Sequence, residues 1–448
     1  MEPGARFRSA KGSQFMTSAD CLARTISLFE TDFAIADREL ILRALLQPRI
    51  VIVADERVVR SLAGQVAIST AAMLMARTGH HVFIDTPDAV VIGHQPPLGH
   101  GSFHEALFEF GTKLVAGITI TIGPPVGSAD IVFCLGNDLP WMAAPSARYI
   151  SVGASDWAAG FSEMRRRQPW SASDWPIGAA GAAVLMAAEA IKISARVLAP
   201  HSPNWDGLRG QFLDSPRASL KLLPPDTPLV RDLGEFDIVS AGAVSNAFLY
   251  SILRIPGLAG SARALDGDVS DSSNLNRNAL LTTGWVGEPK VDLFKAVGTP
   301  NFHVEPVPLH YPLDGSVLLR DHVVVGVDDI PARWALARLG VPWMGVGATT
   351  HVASMASVHF GHAACAACLH PNDEQIEGPT PTIAFSSFLA GLMMAADLLY
   401  ERSGRDASLV SRERFICALR SEEPWSASVP PIAECPAECP ASRLRRAG

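Results

Sequence analysis

The sequence predicts an α/β protein built from two tandem Rossmann-like domains. Three observations lead there. The chain has 448 residues, and domains run to roughly 100–200 residues. A buried strand, a helix and a second strand follow one another from residue 49, and the same succession restarts at residue 237.

The composition suits a folded chain, with 48% apolar and 18% charged residues. A net charge of -8 and a pI near 5.9 argue against a nucleic-acid binder working through bulk charge, while leaving room for a local phosphate pocket. "MEPGARFRSAKGSQFMTS" has no apolar run behind its charges, so neither a signal peptide nor an anchor is expected. The apolar stretches 178–191 and 381–400 carry Glu189 and Asp397 and read as buried helices, not membrane spans. Seven cysteines without a secretion signal point to a reducing, cytoplasmic setting.

The elements run in order. "RIVIVA" from residue 49 reads as a buried parallel strand, "SLAGQVAISTAAMLMART" as the helix after it and "HHVFID" as the second strand. "ADIVFCL" (129–135) and "RYISVGA" (148–154) supply later strands, and "IGAAGAAVLMAAEAIKI" (177–193) a small-residue helix. This first unit is expected over 1–195. Residues 196–233, with "LAPHSPNW" and "LLPPDTPLV", read as a Pro-rich connector. The second unit, 234–448, restarts with "DIVSA", the helix "VSNAFLYSILR" and the strand "ARALD" ending at Asp266. "HVVVGV" (322–327) corresponds to "DIVFCL", and the helix at 383–400 to that at 177–193. A duplicated unit is the favoured reading; two unrelated α/β domains would show the same order of elements.

The chemistry-bearing residues cluster in the second unit. "SAGAVSNA" (240–247) stands where a nucleotide fold places G-x-G-x-x-G, glycines that let backbone amides approach phosphate. Only Gly242 remains, with Ser240 and Ser245 in place of the outer glycines; an ordinary strand-to-helix turn competes with the phosphate reading. Asp266 closes the second strand, where such folds hold ribose hydroxyls, although Asp268 and Asp271 close by also suit a solvated acidic turn. Asn274 and Arg277 in "SNLNR", then Lys290, supply donors matched to phosphates. Asp328 and Asp329 sit just past a buried strand: one suits a magnesium ligand, the other a cap for the helix starting near Pro331.

Cys365 and Cys368 in "CAAC" and Cys435 and Cys439 in "CPAEC" are two close pairs able to present four thiolates to one structural zinc. His359, His362 and His370 nearby are left as loop or packing residues, since four cysteines saturate zinc. Cys417 alternates with apolar neighbours and reads as an inert strand thiol; Cys21 and Cys134 are weaker still as nucleophiles.

Together these residues resemble the ThiF and MoeB family of adenylating enzymes, which includes the ubiquitin-activating enzymes. The resemblance spans roughly residues 234–440: an aspartate ending the second strand, an S-N-L-x-R turn, a G-x-P-K segment, "VDD" in place of T-D-N, and a cysteine clamp. Asp266 stands eleven residues before Arg277, and Lys290 thirteen after it, intervals like those of the family. The resemblance implies ThiF-type Rossmann-like domains and ATP-dependent adenylation of the carboxyl terminus of a ubiquitin-like or sulfur-carrier protein with a Gly-Gly tail. By position, Gly242 marks the phosphate turn, Asp266 would take the ribose, Asn274, Arg277 and Lys290 the phosphates, and Asp328 magnesium. Catalysis would rest on Arg277, Lys290 and Asp328. The unit 1–195 looks like the inactive half of two-part activating enzymes, so the chain is an internal pseudo-dimer; a conjugating enzyme and a second copy of the chain as homodimer are the further partners implied. In homodimeric relatives a partner's amino-terminal helix lends an arginine, and Arg38 in "ADRELILR" is the candidate here. Two departures stand out. The glycine turn is eroded, which also suits a pseudoenzyme scaffold. The loop "LHPNDEQIEGPTPTI" after the first cysteine pair holds no thioester cysteine, so the acyl group is expected to pass to a nucleophile on a partner protein or to a small molecule. A nicotinamide-dependent dehydrogenase would leave Arg277, Lys290 and the cysteines without a role.

Overall fold

The computed structural model describes residues 17–136, 147–163, 167–171, 173–310, 317–372, 381–405, 409–420 and 425–447. Their strands form two sheets. The first contains β1 (Arg49–Ala54), β2 (His81–Asp85), β3 (Ile120–Ile122), β4 (Ile131–Leu135), β5 (Arg148–Ala154), β6 (Ala158–Glu163) and β7 (Arg217–Lys221), in the order β3-β2-β1-β4-β5-β6-β7. The second contains β8 (Asp232–Val239), β9 (Ala259–Leu265), β10 (Phe302–Val307), β11 (His322–Val325), β12 (Trp343–Thr350), β13 (Ala353–Phe360), β14 (Arg412–Cys417) and β15 (Trp425–Ser428), in the order β10-β9-β8-β11-β12-β13-β14-β15.

Strand for strand the first seven positions agree. The five leading strands of each sheet are parallel, and the sixth turns antiparallel. Burial explains the parallel part. In β1, Ile50 to Ala54 are all buried, as a strand covered on both faces requires.

Two helices in each unit carry the core. Leu62–Arg77, begun by Ser61 accepting the Gly64 amide at 3.0 Å, is buried along its whole length against Pro176–Leu198. Its counterpart Ala243–Ile252 packs on Ala384–Arg402. Apolar residues on every side of these helices leave no face for water. Pro176–His201 is long and apolar enough to cross a membrane by length and composition, but 94% of its apolar window is buried inside the protein.

The helix pairs of the two units meet, and Thr70 Oγ1 lies 2.9 Å from Tyr250 Oη. Loops cross in both directions. The Thr283 amide donates to Lys113 O at 2.9 Å, and His94 Nε2 lies 2.8 Å from Val297 O. Lys113 and Val297 follow the helices Phe103–Gly111 and Lys290–Ala296, which precede the third strands of their sheets.

The stretch expected as a connector differs from expectation. Within 196–233 lie the helix Trp205–Phe212 and β7, which pairs antiparallel with β6, and the first residues of β8. Prolines bracket these elements without interrupting them. Lys192 and Ser215 fix β7's approach: Lys192 Nζ is fully buried, 2.5 Å from Glu189 and 2.9 Å from Ser215 Oγ.

Candidate functional site

In each sheet the strand order reverses beside its first strand, between β1 and β4 and between β8 and β11. The carboxyl ends of strands at such a reversal form a crevice where ligands settle. In the second unit that crevice collects the turn Ser240–Gly242, Asp266 past β9, and Gly326–Asp329 past β11.

Gly242 is the N-cap of Ala243–Ile252, so the helix amino terminus opens into the crevice. Ser240 adopts a φ of +77°, a left-handed conformation that suits glycine, and its Oγ accepts the Gly242 amide at 3.1 Å. The serine thus occupies an amide that a phosphate would use. Ser245 is fully buried beneath the end of β11 against Gly326. The loss of the third glycine on the helix is matched by a glycine on the strand.

Asp266 is 8% exposed and binds the turn from below. Its Oδ2 accepts the Ala241 amide at 2.7 Å and its Oδ1 the Asp268 amide at 2.8 Å. A carboxylate has about four acceptor sites, so both oxygens keep capacity for hydroxyl donors. Asn246, also buried, donates to Ala241 O at 2.9 Å and Gly242 O at 3.1 Å, tying the turn to its helix.

The segment 271–281 forms the facing wall. Asp271 caps the short helical turn Ser272–Asn274, and Asn274 Oδ1 answers by accepting the Asp271 amide at 3.0 Å. The Ser273 amide bond holds the Asp271 carboxyl below the ordinary carboxylate range. This box sets Arg277 one turn later. Arg277 donates to Ser273 O and to Asn276 Oδ1, and burial followed by the charge of Arg24 pushes its pKa down to about 10, against the pull of Asp328 and Asp271.

Arg24 is the residue that sequence reasoning missed. It opens the helix Ala23–Phe33, is lowered by burial, and feels the charges of Asp328 and Asp271. The neighbouring Thr25 Oγ1 accepts from Asn276 Nδ2 at 3.0 Å, docking that helix on the wall. Arg38, the arginine expected here, instead faces Glu30 at 3.6 Å with 58% of its side chain exposed. It begins the next helix, Arg38–Leu46.

Asp328 and Asp329 divide as their surroundings dictate. Asp329 Oδ1 accepts the Ala332 amide at 2.6 Å and caps Ile330–Arg338. Asp328 is exposed, and its negative charge acts on Arg24, Arg277 and Arg333. Arg333, one turn beyond Asp329, is buried and donates to Val327 O at 2.8 Å. Lys290 begins the helix Lys290–Ala296, and its ammonium rests 2.6 Å from Asp268 with 14% exposure.

The corresponding turn of the first unit carries a carboxylate. Asp55 lies in its turn, accepts the Val58 amide at 2.9 Å, and stands so close to Gly136 that an added Cβ would be 2.1 Å from its Oδ2. A carboxylate filling that position repels an anion.

The four cysteine sulfurs lie within 4.8 Å of one another, with Cys365 3.5 Å from Cys435, Cys368 3.6 Å from Cys439, and Cys365 4.0 Å from Cys368. Zn–S bonds of about 2.3 Å in a tetrahedron place sulfurs about 3.8 Å apart, so the set fits a four-thiolate zinc. The hydrogen bond to Cys368 and burial push the Cys365 thiol up. The cluster packs in a small core with Leu336 and Ala337 of the helix Ile330–Arg338, and Arg338 Nη2 reaches Pro436 O at 3.0 Å. His359 is buried and bonded to Ala364 O and Ser357 Oγ. Burial lowers it to about 4.

Cys417 ends β14 and is half-buried, with its thiol pushed up by burial. It lines a cavity of about 400 Å³ with Asp32, His351 and Trp425, whose lining includes no residue of the crevice at the strand-order reversal. The loop after Cys368 lies in part, at 373–380, outside the described residues. Cys134 is raised to about 12 by burial.

Residues 49–200 match the family model of the BilD N-terminal domain. Over 284 residues the chain is 26% identical to the uncharacterized protein y4jF of Sinorhizobium fredii (strain NBRC 101917 / NGR234), an alignment covering 62% of this chain and 49% of that protein. The chain therefore spans about half the length of the curated relative it matches. Partial likenesses to solved structures include the microcin C7 biosynthetic enzyme MccB in complex with N-formylated MccA, at 17% identity and TM-score 0.38 over 47% of this chain and 67% of that one. They also include E. coli MccB with ATP, at 15% identity and TM-score 0.38 over 56% and 74% of the two chains. A third is PaaA, at 18% identity and TM-score 0.34 over 44% and 64%.

Proposed function

We propose that the chain adenylates a carboxyl terminus with ATP, the substrate being the Gly-Gly tail of a ubiquitin-like or sulfur-carrier protein. The observation that carries this reading is that the charge of Asp328, past the strand at the order reversal, acts on Arg24, Arg277 and Arg333, beside a helix amino terminus. Three cations around one exposed carboxylate suit a polyphosphate and its counter-ion, which together complete the balance of charge.

In the reaction a carboxylate oxygen attacks the α-phosphorus, the bond to the bridging oxygen breaks, and pyrophosphate leaves. Arg277, Arg24 and Asn274 would hold the phosphates. Lys290 would turn from Asp268 toward them, a rotation open to a flexible side chain. Asp266 would accept ribose hydroxyls on its remaining lone pairs. Asp328 would hold magnesium, which neutralises phosphate charge when bound. Positioning and charge neutralisation supply the catalysis. In this reading the unit 234–448 is active, the unit 1–195 is inactive because Asp55 fills its turn, and the four cysteines clamp the chain end through zinc. The acyl group passes to a partner's nucleophile, since the Cys417 thiol is raised.

A second reading is a scaffold that holds a ubiquitin-like tail without activating it. Ser240, whose hydroxyl occupies the Gly242 amide, favours it. Exchange of labelled pyrophosphate into ATP, with a candidate Gly-Gly protein present, separates the two. Exchange that disappears in Lys290→Ala supports adenylation. No exchange above that variant, with no ATP binding, leaves the scaffold.

A further inference from the structure

Arg77 ends the helix Leu62–Arg77 of the first unit, fully buried, yet its guanidinium serves the second unit. Nη1 donates to Leu275 O, and Nη2 to Ala279 O at 3.1 Å and to Leu281 O. These three carbonyls bracket Arg277 on both sides along the chain.

Among the described residues no carboxylate pairs with Arg77, and burial brings its pKa down to about 9, with Tyr250 and Cys21 opposing. A buried cation without a counter-ion is costly. Three carbonyl dipoles are its hydrogen-bonded compensation. The cost is accepted where a planar fork of donors is the only side chain able to serve three carbonyls at once.

The second unit offers a built-in comparison. Arg254 lies just past Ala243–Ile252, at the corresponding place, and is likewise buried, with burial lowering it to about 10. It crosses the other way, donating to Pro96 O at 2.9 Å in the loop after β2, and to its own Tyr250 O at 2.8 Å. The crossing is two-way, but the grip is lopsided. Three carbonyls are held in the second unit, and one in the first.

We infer that Arg77 is a positioning residue for the second unit's crevice, fixing the curve of residues 275–281 so that Arg277 faces Asp328. The first unit is then a working part of the site across the junction. This inference rests on the adenylation reading for its link to ATP, while the hold on the loop stands apart from it.

The test compares Arg77→Met with Arg254→Met in the full chain, by hydrogen–deuterium exchange and by calorimetric titration with ATP and magnesium. Amides of 275–282 exchange faster in Arg77→Met than in Arg254→Met. ATP binding weakens about tenfold in Arg77→Met, where the loop that carries Arg277 loses three anchors, and less than about threefold in Arg254→Met, where that loop loses none. Arg77→Lys, which keeps the charge and loses the fork, falls between, and serves as the test variant if Arg77→Met does not fold. Equal effects of the two methionine variants, or unchanged ATP affinity and unchanged exchange in the Arg77 variants, overturn the inference. A wild-type chain that binds no ATP removes the adenylation reading instead, and exchange of 275–282 alone then decides whether Arg77 holds the loop.

Discussion

Gly326 packs so closely on Ser245 that a methyl group added to the glycine would come within 2.3 Å of the serine Oγ. The hydroxyl itself is buried with no hydrogen-bond partner among the described residues. Gly326→Ala is therefore expected to cost roughly 2 kcal/mol through overpacking, and Ser245→Ala to be neutral or stabilising because it removes an unsatisfied group. The double variant recovers part of the loss, with a coupling of at least about 0.5 kcal/mol. Urea unfolding of the four chains measures this; strict additivity would show that the two residues do not share one space.

Ser240 holds a left-handed backbone that glycine adopts freely. Ser240→Gly relieves that strain and frees the Gly242 amide, so ATP affinity rises by roughly threefold or more while the melting temperature holds or increases. Titration with ATP checks it. Unchanged affinity would show that the Gly242 amide takes no part in phosphate binding.

The sulfur separations predict one zinc per chain, lost in Cys435→Ser and Cys439→Ser. Chelation should lower the melting temperature by several degrees, since removing a structural metal withdraws its binding energy from folding. Elemental analysis and a thermal melt before and after chelation measure both. The Ile330–Arg338 helix packs on the cluster, so chelation should also weaken ATP binding through Asp328.

His80 is buried, with Nδ1 2.9 Å from Leu45 O and its pKa brought down to about 4 by burial. The unfolded chain takes up a proton near pH 6.5 that the folded chain refuses until about pH 4. Stability is thus full above about 6.5 and falls as pH drops through this window, by at most ~1.4 kcal/mol per pH unit for one proton. His80→Asn should flatten that limb in urea unfolding across pH 7 to 4; an identical slope would place the titration elsewhere.

The two-sheet α/β architecture was legible because buried parallel strands write continuous apolar runs, as in "RIVIVA" and "HVVV". β7 was not: "RASLK" buries one residue in five, and its neighbouring prolines look like a break. The turns that hold Asp266, Asn274 and Arg277 were legible because their polar and capping residues are close in sequence. A division between Asp329 as helix cap and an exposed Asp328 also followed from local chemistry. Arg24 was illegible because its meeting with Asp328 spans some three hundred residues, and nothing local separates it from Arg38. Arg333, one turn beyond Asp329, carried a local signal in "DIPAR" that could have found it.

The crossing loops and arginines join two units that share one polypeptide. Were they separate chains, the crevice would be complete only above the dissociation constant of the pair, and activity per molecule would fall on dilution. Fusion replaces that dependence by an effective local concentration on the order of millimolar, set by the covalent link through β7 and β8. The contacts across the junction are therefore independent of protein concentration.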